Sequence, residues 1–316
     1  MTSTSLRAHN INLQKASHYS DVNGVNVAFL GNSILYFNDT PRFLVNLSNN
    51  DSDVIKIRHQ NSCLRGGTTL TELYQLGNGM KRHGFATENA LMGNGEYDVG
   101  SPTVQELLQS KEKKWDFVVM NEHTQAPARQ ITREEFKLTL LQQYAPLISA
   151  NNNGATIIFV ETAAYRLPGI NNSEDLGTTQ QFQQKVREGI QSYISTLLND
   201  AATTNLSARM APVGTAYLHV HNDNHDLWQK LFDPWDNFHP SPTGTFLQGC
   251  VLYCTMFGST PPLPRTNEEI EALWKDARMM HPAKKGKEGV ALPSVGEAEY
   301  LWNVAWDICQ RENSKL

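Results

Sequence analysis

The chain is 316 residues long, 40% hydrophobic, 19% charged and 9% aromatic, a balance that excludes disordered and fibrous proteins and allows a core without disulfides or a structural metal. Its 27 Lys and Arg against 32 Asp and Glu give a formal charge of -5, which argues against a nucleic-acid or anionic-membrane partner. No apolar run approaches the ~20 residues of a membrane span, and the N-terminal stretch lacks an apolar signal-peptide core, so the sequence reads as a soluble, cytoplasmic protein.

Short apolar runs alternate with helical stretches, the pattern of a parallel α/β sheet. Strands are predicted over Val25–Leu30, Val54–His59, Phe117–Met120, Thr156–Glu161 and Ala208–Val213, whose apolar or β-branched character suits strands covered on both faces. Thr40-Pro41 and Ser101-Pro102 each read as an N-cap followed by Pro at the first helical position, and Thr132-x-x-Glu135 reads as a capping box. Phe182, Val186, Ile190, Tyr193, Ile194 and Leu197 recur at helical spacing. Ser241-Pro242 opens a strongly apolar helix from Thr243 to Phe257, in which Cys250 and Cys254 fill the core. With Cys63 and Cys309 they form no CxxC pair, which removes zinc ribbons and thioredoxin-like motifs. Beyond the Pro-rich stretch Ser259 to Arg265, the capping boxes Thr266-x-x-Glu269 and Ser294-x-x-Glu297 start two further helices, the second with Leu301, Val304 and Ile308 as its apolar face. Lys284-Lys285-Gly286-Lys287 between them reads as a solvated loop. The predicted division is a main domain over 20–260 and a helical C-terminal extension, 261–316, packed on it.

The first strand ends in Gly31-Asn32-Ser33. Ligands of open α/β sheets sit beyond the carboxyl ends of the strands, so Ser33 projects into that crevice, either as a nucleophile beside a base or as a turn residue capping the next helix. Asp236 and His239 stand three apart on a tight turn late in the chain. A carboxylate there can bond imidazole Nδ1–H and leave Nε2 to take a proton from a serine; the other reading is an Asp that only structures the loop. Gly66-Gly67 after the second strand permits close backbone approach to a ligand, and Asn121-Glu-His-Thr-Gln125 after the third offers side-chain amides. Backbone N–H groups of Ser33 and Gly66 with one such amide would surround a developing oxyanion. Tyr165 and Arg166 follow the fourth strand on the crevice side and are placed to shape a substrate pocket, although a surface ion pair accounts for Arg166 equally well. His219, His221 and His225 lie close to Asp223 and Asp226, but the segment reads as a solvated loop without a frame for a metal, and none is expected. No Gly-x-Gly-x-x-Gly follows the first strand and no P-loop is present, which removes the usual nucleotide readings.

Together these blocks resemble the SGNH hydrolases, the GDSL-like esterase/lipase superfamily, over roughly residues 25–257. Gly31-Asn32-Ser33 is similar to the nucleophile block, with Asn32 in place of the usual Asp. Leu64 to Thr69 resembles the second block, whose glycine maps onto Gly66, and Asp236-x-x-His239-Pro240 resembles the last. The third block departs: Asn121-Glu-His-Thr-Gln125 replaces Gly-x-Asn-Asp and is closer to a divergent branch with an amide-Glu-x-Ser/Thr-Gln pattern. The resemblance implies a three-layer α/β/α flavodoxin-like fold with a five-stranded parallel sheet in the order 2-1-3-4-5. It also implies a cofactor-free serine esterase with Ser33, His239 and Asp236 as catalytic residues. Ser33, Gly66 and either Asn121 or Gln125 would be its oxyanion donors. Asn121, fixed at a strand end, is the side-chain donor that geometry favours. The implied substrate is a small-molecule or carbohydrate ester, O-acetyl groups first. The alternatives are an acyltransferase or a lipid or thioester hydrolase on the same triad, a catalytically silent SGNH-like binding protein, and a metal-dependent hydrolase using the His219 cluster.

Overall fold

The structure is a computed structural model that describes residues 24–49, 55–80, 100–110, 114–281 and 289–314. The N-terminal stretch, Val54 and the Lys284–Lys287 cluster lie outside the described residues. Five parallel strands, β1 (Val25–Gly31), β2 (Ile57–Leu64), β3 (Phe117–Met120), β4 (Thr156–Val160) and β5 (Ser207–Ala211), form one sheet in the order β2-β1-β3-β4-β5. Alternate residues of each central strand feed opposite cores. Val27 and Phe29 of β1, Val119 of β3 and Ile158 of β4 pack with the helices Thr40–Asn49, Val213–Asp223, Pro242–Phe257 and Val295–Asn313. Ala28, Leu30, Val118 and Ile157 pack with Leu70–Leu76, Val104–Leu108, Ala145–Asn151 and Thr179–Leu198 on the other face. The result is the three-layer α/β/α arrangement in the expected strand order.

Two strand predictions shift. The second strand was expected over Val54–His59 and instead runs Ile57–Leu64, with Val25 of β1 opposite Ile57 and Gly31 opposite Leu64. β2 is an edge strand whose Arg58 faces solvent and whose buried positions include the polar Gln60 and Ser62, so no apolar run marks it. β5 ends at Ala211 rather than Val213, because Pro212 has no N–H to continue the ladder and Val213 opens a helix.

Three helix starts also differ from expectation. Asp39, not Thr40, caps the helix Thr40–Asn49, its Oδ1 accepting the Arg42 N–H at 3.3 Å. Thr103 rather than Ser101 caps Val104–Leu108. Thr132 lies inside the first turn of Gln130–Thr139, where its hydroxyl donates to the Ala126 carbonyl at 2.7 Å instead of capping. The His219–His225 segment is helical, not a loop: it spans the end of Val213–Asp223 and the start of His225–Lys230. The rings of His221 and His225 pack on Trp228, at centroid distances of 4.5 and 5.0 Å. Among the described residues no group of three or more His, Cys, Asp or Glu is placed to hold a metal, and no helix is long and apolar enough to cross a membrane.

The Pro242–Phe257 helix is buried along its whole length, capped by Ser241, whose hydroxyl accepts the Gly244 N–H at 3.1 Å. The Val295–Asn313 helix has its capping box and buries Leu301, Val304 and Ile308 in the same core cluster. Trp302 Nε1 donates to the Pro261 carbonyl at 2.8 Å, so the Pro-rich stretch is pinned beneath that helix.

Candidate active site

β1 and β3 lie side by side at the centre of the sheet, and their ends approach closely at Gly31. A Cβ on Gly31 would stand 2.8 Å from both Cβ and the carbonyl oxygen of Asn121, so only glycine fits. The chain then turns at Asn32, which is extended and caps the one-turn helix Ser33–Tyr36. Its Oδ1 accepts the Ile34 N–H at 3.2 Å, and its Nδ2 donates to the Thr68 carbonyl at 3.1 Å. One amide therefore joins the turn after β1 to the Gly66-Gly67 turn after β2. Ser33 sits at the head of this helix with little of its surface exposed.

The imidazole comes from the other end of the chain. Asp236 Oδ1 accepts the backbone N–H groups of Phe238 and His239 at 3.1 and 3.0 Å, folding the turn on itself, while Oδ2 meets His239 Nδ1 at 2.6 Å. Burial works to raise the Asp236 carboxyl, but the hydrogen bonds from the His239 ring and backbone outweigh it and hold the group below the usual carboxylate range. With Nδ1 engaged, His239 Nε2 is buried and has no hydrogen-bond partner. Phe37 stacks on the ring, and Asn38 Nδ2 donates to the Pro240 carbonyl at 3.0 Å, so the turn after β1 also grips the histidine loop.

Arg166 grips that loop from the opposite side. Its backbone N–H donates to the Asn237 carbonyl at 2.9 Å, Nε donates to Asn237 Oδ1 at 2.8 Å and Nη1 to the Gln229 carbonyl at 2.9 Å. Asn237 needs that support, for it takes a left-handed conformation with φ 70. Arg166 is therefore neither a cavity residue nor a surface ion pair, as its sequence position suggested; it clasps the segment between Asp236 and His239.

Ser33, Gly66, Gln125, Tyr165 and His239 all line one open cavity of about 720 Å3, together with Asn32, Tyr36, His123, Arg129, Asn171, Asn172 and Phe238. Asn121 does not line it. The close approach at Gly31 buries Asn121 completely, and its Nδ2 donates to the Glu122 carbonyl at 3.1 Å. This corrects the expectation that a strand-end amide reaches the crevice. Gln125 reaches the cavity, but its Nε2 donates to Tyr165 Oη at 3.1 Å and to the Asn171 carbonyl at 2.7 Å, which uses both its hydrogens. Its Oε1 is held by Arg129, which bonds Asp175 at 2.6 Å and the Asn172 carbonyl. Tyr165 takes its place in the wall with its ring 5.4 Å from that of Phe238.

Tyr36, Phe37 and Asn38 carry no motif and escape sequence reasoning. Their positions three, four and five after Ser33 were visible, but their contacts with Gly66, His239 and Pro240 span the fold. The assembled site offers an imidazole with a free Nε2, a serine hydroxyl in the same cavity and a glycine backbone beside it. Those groups suit proton abstraction and attack on a carbonyl.

Among solved structures the chain is similar to a DUF4886 family protein from Bacteroides uniformis, with TM-score 0.55 and 16% identity over 80% of this chain and 93% of that one. It is also similar to a protein proposed to be an SGNH hydrolase from Slackia heliotrinireducens, with TM-score 0.48 and 24% identity over 74% of this chain and 100% of that one. A gut microbial diltiazem-metabolizing enzyme follows at TM-score 0.41 and 13% identity, over 75% of this chain and 47% of that one. No family model matches the chain, and no curated protein does. The shared feature is the fold, a five-stranded all-parallel sheet with helices on both sides.

Proposed function

We propose that the protein is a serine hydrolase of SGNH type that cleaves carboxylic esters through an acyl-Ser33 intermediate. The observation that carries this reading is the Asp236 Oδ2–His239 Nδ1 contact of 2.6 Å, with Nε2 left unpartnered at a cavity that Ser33 also lines. His239 Nε2 takes the Ser33 proton as Oγ bonds to the ester carbon and the carbonyl electron pair moves to oxygen. Asp236 holds the ring tautomer and stabilises the imidazolium. Collapse breaks the bond to the alcohol oxygen, which receives the proton from His239; water then repeats the cycle and frees the acid. The backbone N–H groups of Ser33 and Gly66 face the oxyanion.

Carbohydrate O-acetyl esters are the proposed substrates. The cavity wall sets the aromatic rings of Tyr165 and Phe238, which offer flat faces for a sugar ring, beside the polar residues His123, Asn171 and Asn172. The catalytic unit spans 20–260, with 261–316 as a helical buttress on the Pro242–Phe257 helix. A silent binding protein is the second reading. It is favoured by the Ser33 hydroxyl pairing with Tyr36 while His239 Nε2 has no partner. Fluorophosphonate labelling with peptide mapping separates the two: a tag on Ser33 supports the hydrolase, and a folded protein that takes no tag supports the binding protein.

A further inference from the structure

We propose that the Tyr36 hydroxyl is the side-chain donor to the oxyanion formed at Ser33. The proposal deepens the hydrolase reading and rests on it. Two amides offered by the sequence for this task are occupied elsewhere. Asn121 is buried against Gly31 outside the cavity, and both hydrogens of the Gln125 amide are taken by Tyr165 and the Asn171 carbonyl. Arg129, the cation of the cavity wall, is spent on Asp175, Asn172 and Gln125.

Tyr36 is placed differently. Three residues after Ser33 on a one-turn helix, it lies on the same side of that turn and lines the cavity. Its hydroxyl is the hydrogen-bond partner of the Ser33 hydroxyl. A Cβ on Gly66 would stand 2.6 Å from the same phenol oxygen, so that oxygen rests against the Gly66 backbone. The phenol thus bridges the two residues whose N–H groups face the oxyanion. The tetrahedral oxygen forms on the carbon that bonds Ser33 Oγ, so a phenol whose oxygen already accepts the Ser33 hydroxyl needs only a small rotation to aim its own O–H there. When His239 takes the Ser33 proton, the phenol oxygen loses the bond it accepted, and its own O–H turns to the oxygen that gains charge. No proton leaves Tyr36, and burial, which pushes its hydroxyl up, keeps the phenol in the donor form.

The arrangement also gives Gly66 a second reason to be glycine. An added methyl would press on the phenol of a buried ring that has little room to move.

The test is Tyr36→Phe, assayed with p-nitrophenyl acetate and with a fluorophosphonate probe mapped to Ser33. Loss of one oxyanion donor should lower kcat by about 10²-fold or more while KM changes by less than about threefold, and labelling of Ser33 should slow in parallel. Gly66→Ala reaches the same phenol from the other side and should cost far less in the Tyr36→Phe background than alone. A Tyr36→Phe protein with kcat within about threefold of wild type overturns the proposal, as does a loss confined to KM. Wild-type protein that neither hydrolyses the ester nor labels at Ser33 overturns the hydrolase reading and this inference together. Wild type that labels normally alongside an equally active Tyr36→Phe overturns this inference alone.

Discussion

Phe37 lies flat against the imidazole of His239, with ring centroids 3.6 Å apart and planes 10° from parallel. The residue four after the serine thus sets the tilt of the histidine that is to serve it. Asp236 fixes one point of the imidazole through Nδ1, and the stacked ring fixes its plane. Phe37→Leu keeps the site apolar but removes the flat face. It should lower kcat by about tenfold through misaligned proton transfer, with KM little changed. Ester kinetics across the two proteins check this, and unchanged kcat would show that Asp236 alone orients the ring.

Ser33→Ala should cost about 10⁴–10⁶ in turnover while circular dichroism shows the fold intact. His239→Ala should be nearly as damaging and Asp236→Asn somewhat less so. The proposed triad requires the three residues to act as a unit, so Ser33→Ala/His239→Ala should be no slower than either single variant. Additive losses in that cycle would mean that the two residues do separate jobs.

Arg166 offers a sharper probe of loop geometry. Its guanidinium and backbone N–H together hold both Asn237 oxygens, and lysine cannot reproduce that fork. Arg166→Lys should therefore behave like Arg166→Ala, each lowering kcat by about 10–10²-fold through a loosened Asp236–His239 turn. Full activity in the lysine variant would reduce the residue to a point charge.

Stability should fall as pH rises from weakly acidic to alkaline. Burial raises the Glu122 carboxyl to about 8, and its Oε1 accepts the Leu70 and His123 N–H groups while Oε2 has no partner. A carboxyl raised in the folded state holds its proton more tightly there than in the unfolded chain. Its contribution is complete below the unfolded value of about 4.3 and is lost as pH climbs through about 8. Burial raises Asp39 and Glu161 to about 7, with the same sign. Asp236, held low, acts oppositely and only on the acid side: its contribution is present above about 3.9 and lost as pH falls. Urea midpoints should decline from pH 5 to pH 9, and Glu122→Gln should flatten the decline because its carbonyl can keep both N–H bonds. An equal slope in the variant would remove Glu122 from the account.

What the sequence made legible was local or periodic. β1, β3 and β4 are apolar runs covered on both faces, and the Asp236–His239 turn is closed by bonds within four residues. What stayed hidden depended on distant neighbours. β2 puts polar Gln60 and Ser62 at fully buried positions and Arg58 in solvent, so its burial pattern does not follow its polarity. Asn121 stands at a strand end, as reasoned, but the missing Cβ of Gly31 lets the neighbouring strand close over it. Arg166 reads as a pocket or surface residue until the loop it clasps, some seventy positions later, is folded onto it.

The bond from Asn38 to the Pro240 carbonyl joins residues 202 positions apart, and it has a consequence for biosynthesis. Ribosomes deliver the N-terminal part of a chain first. Ser33, Gly66 and the amides after β3 therefore emerge long before the imidazole that would activate the serine. A nascent chain stalled before His239, or a fragment cleaved there, presents the serine without its base and cannot run the reaction proposed here. On the proposed reading translation itself would act as a timer, with the chemistry switched on only after the last strand of the sheet has been made.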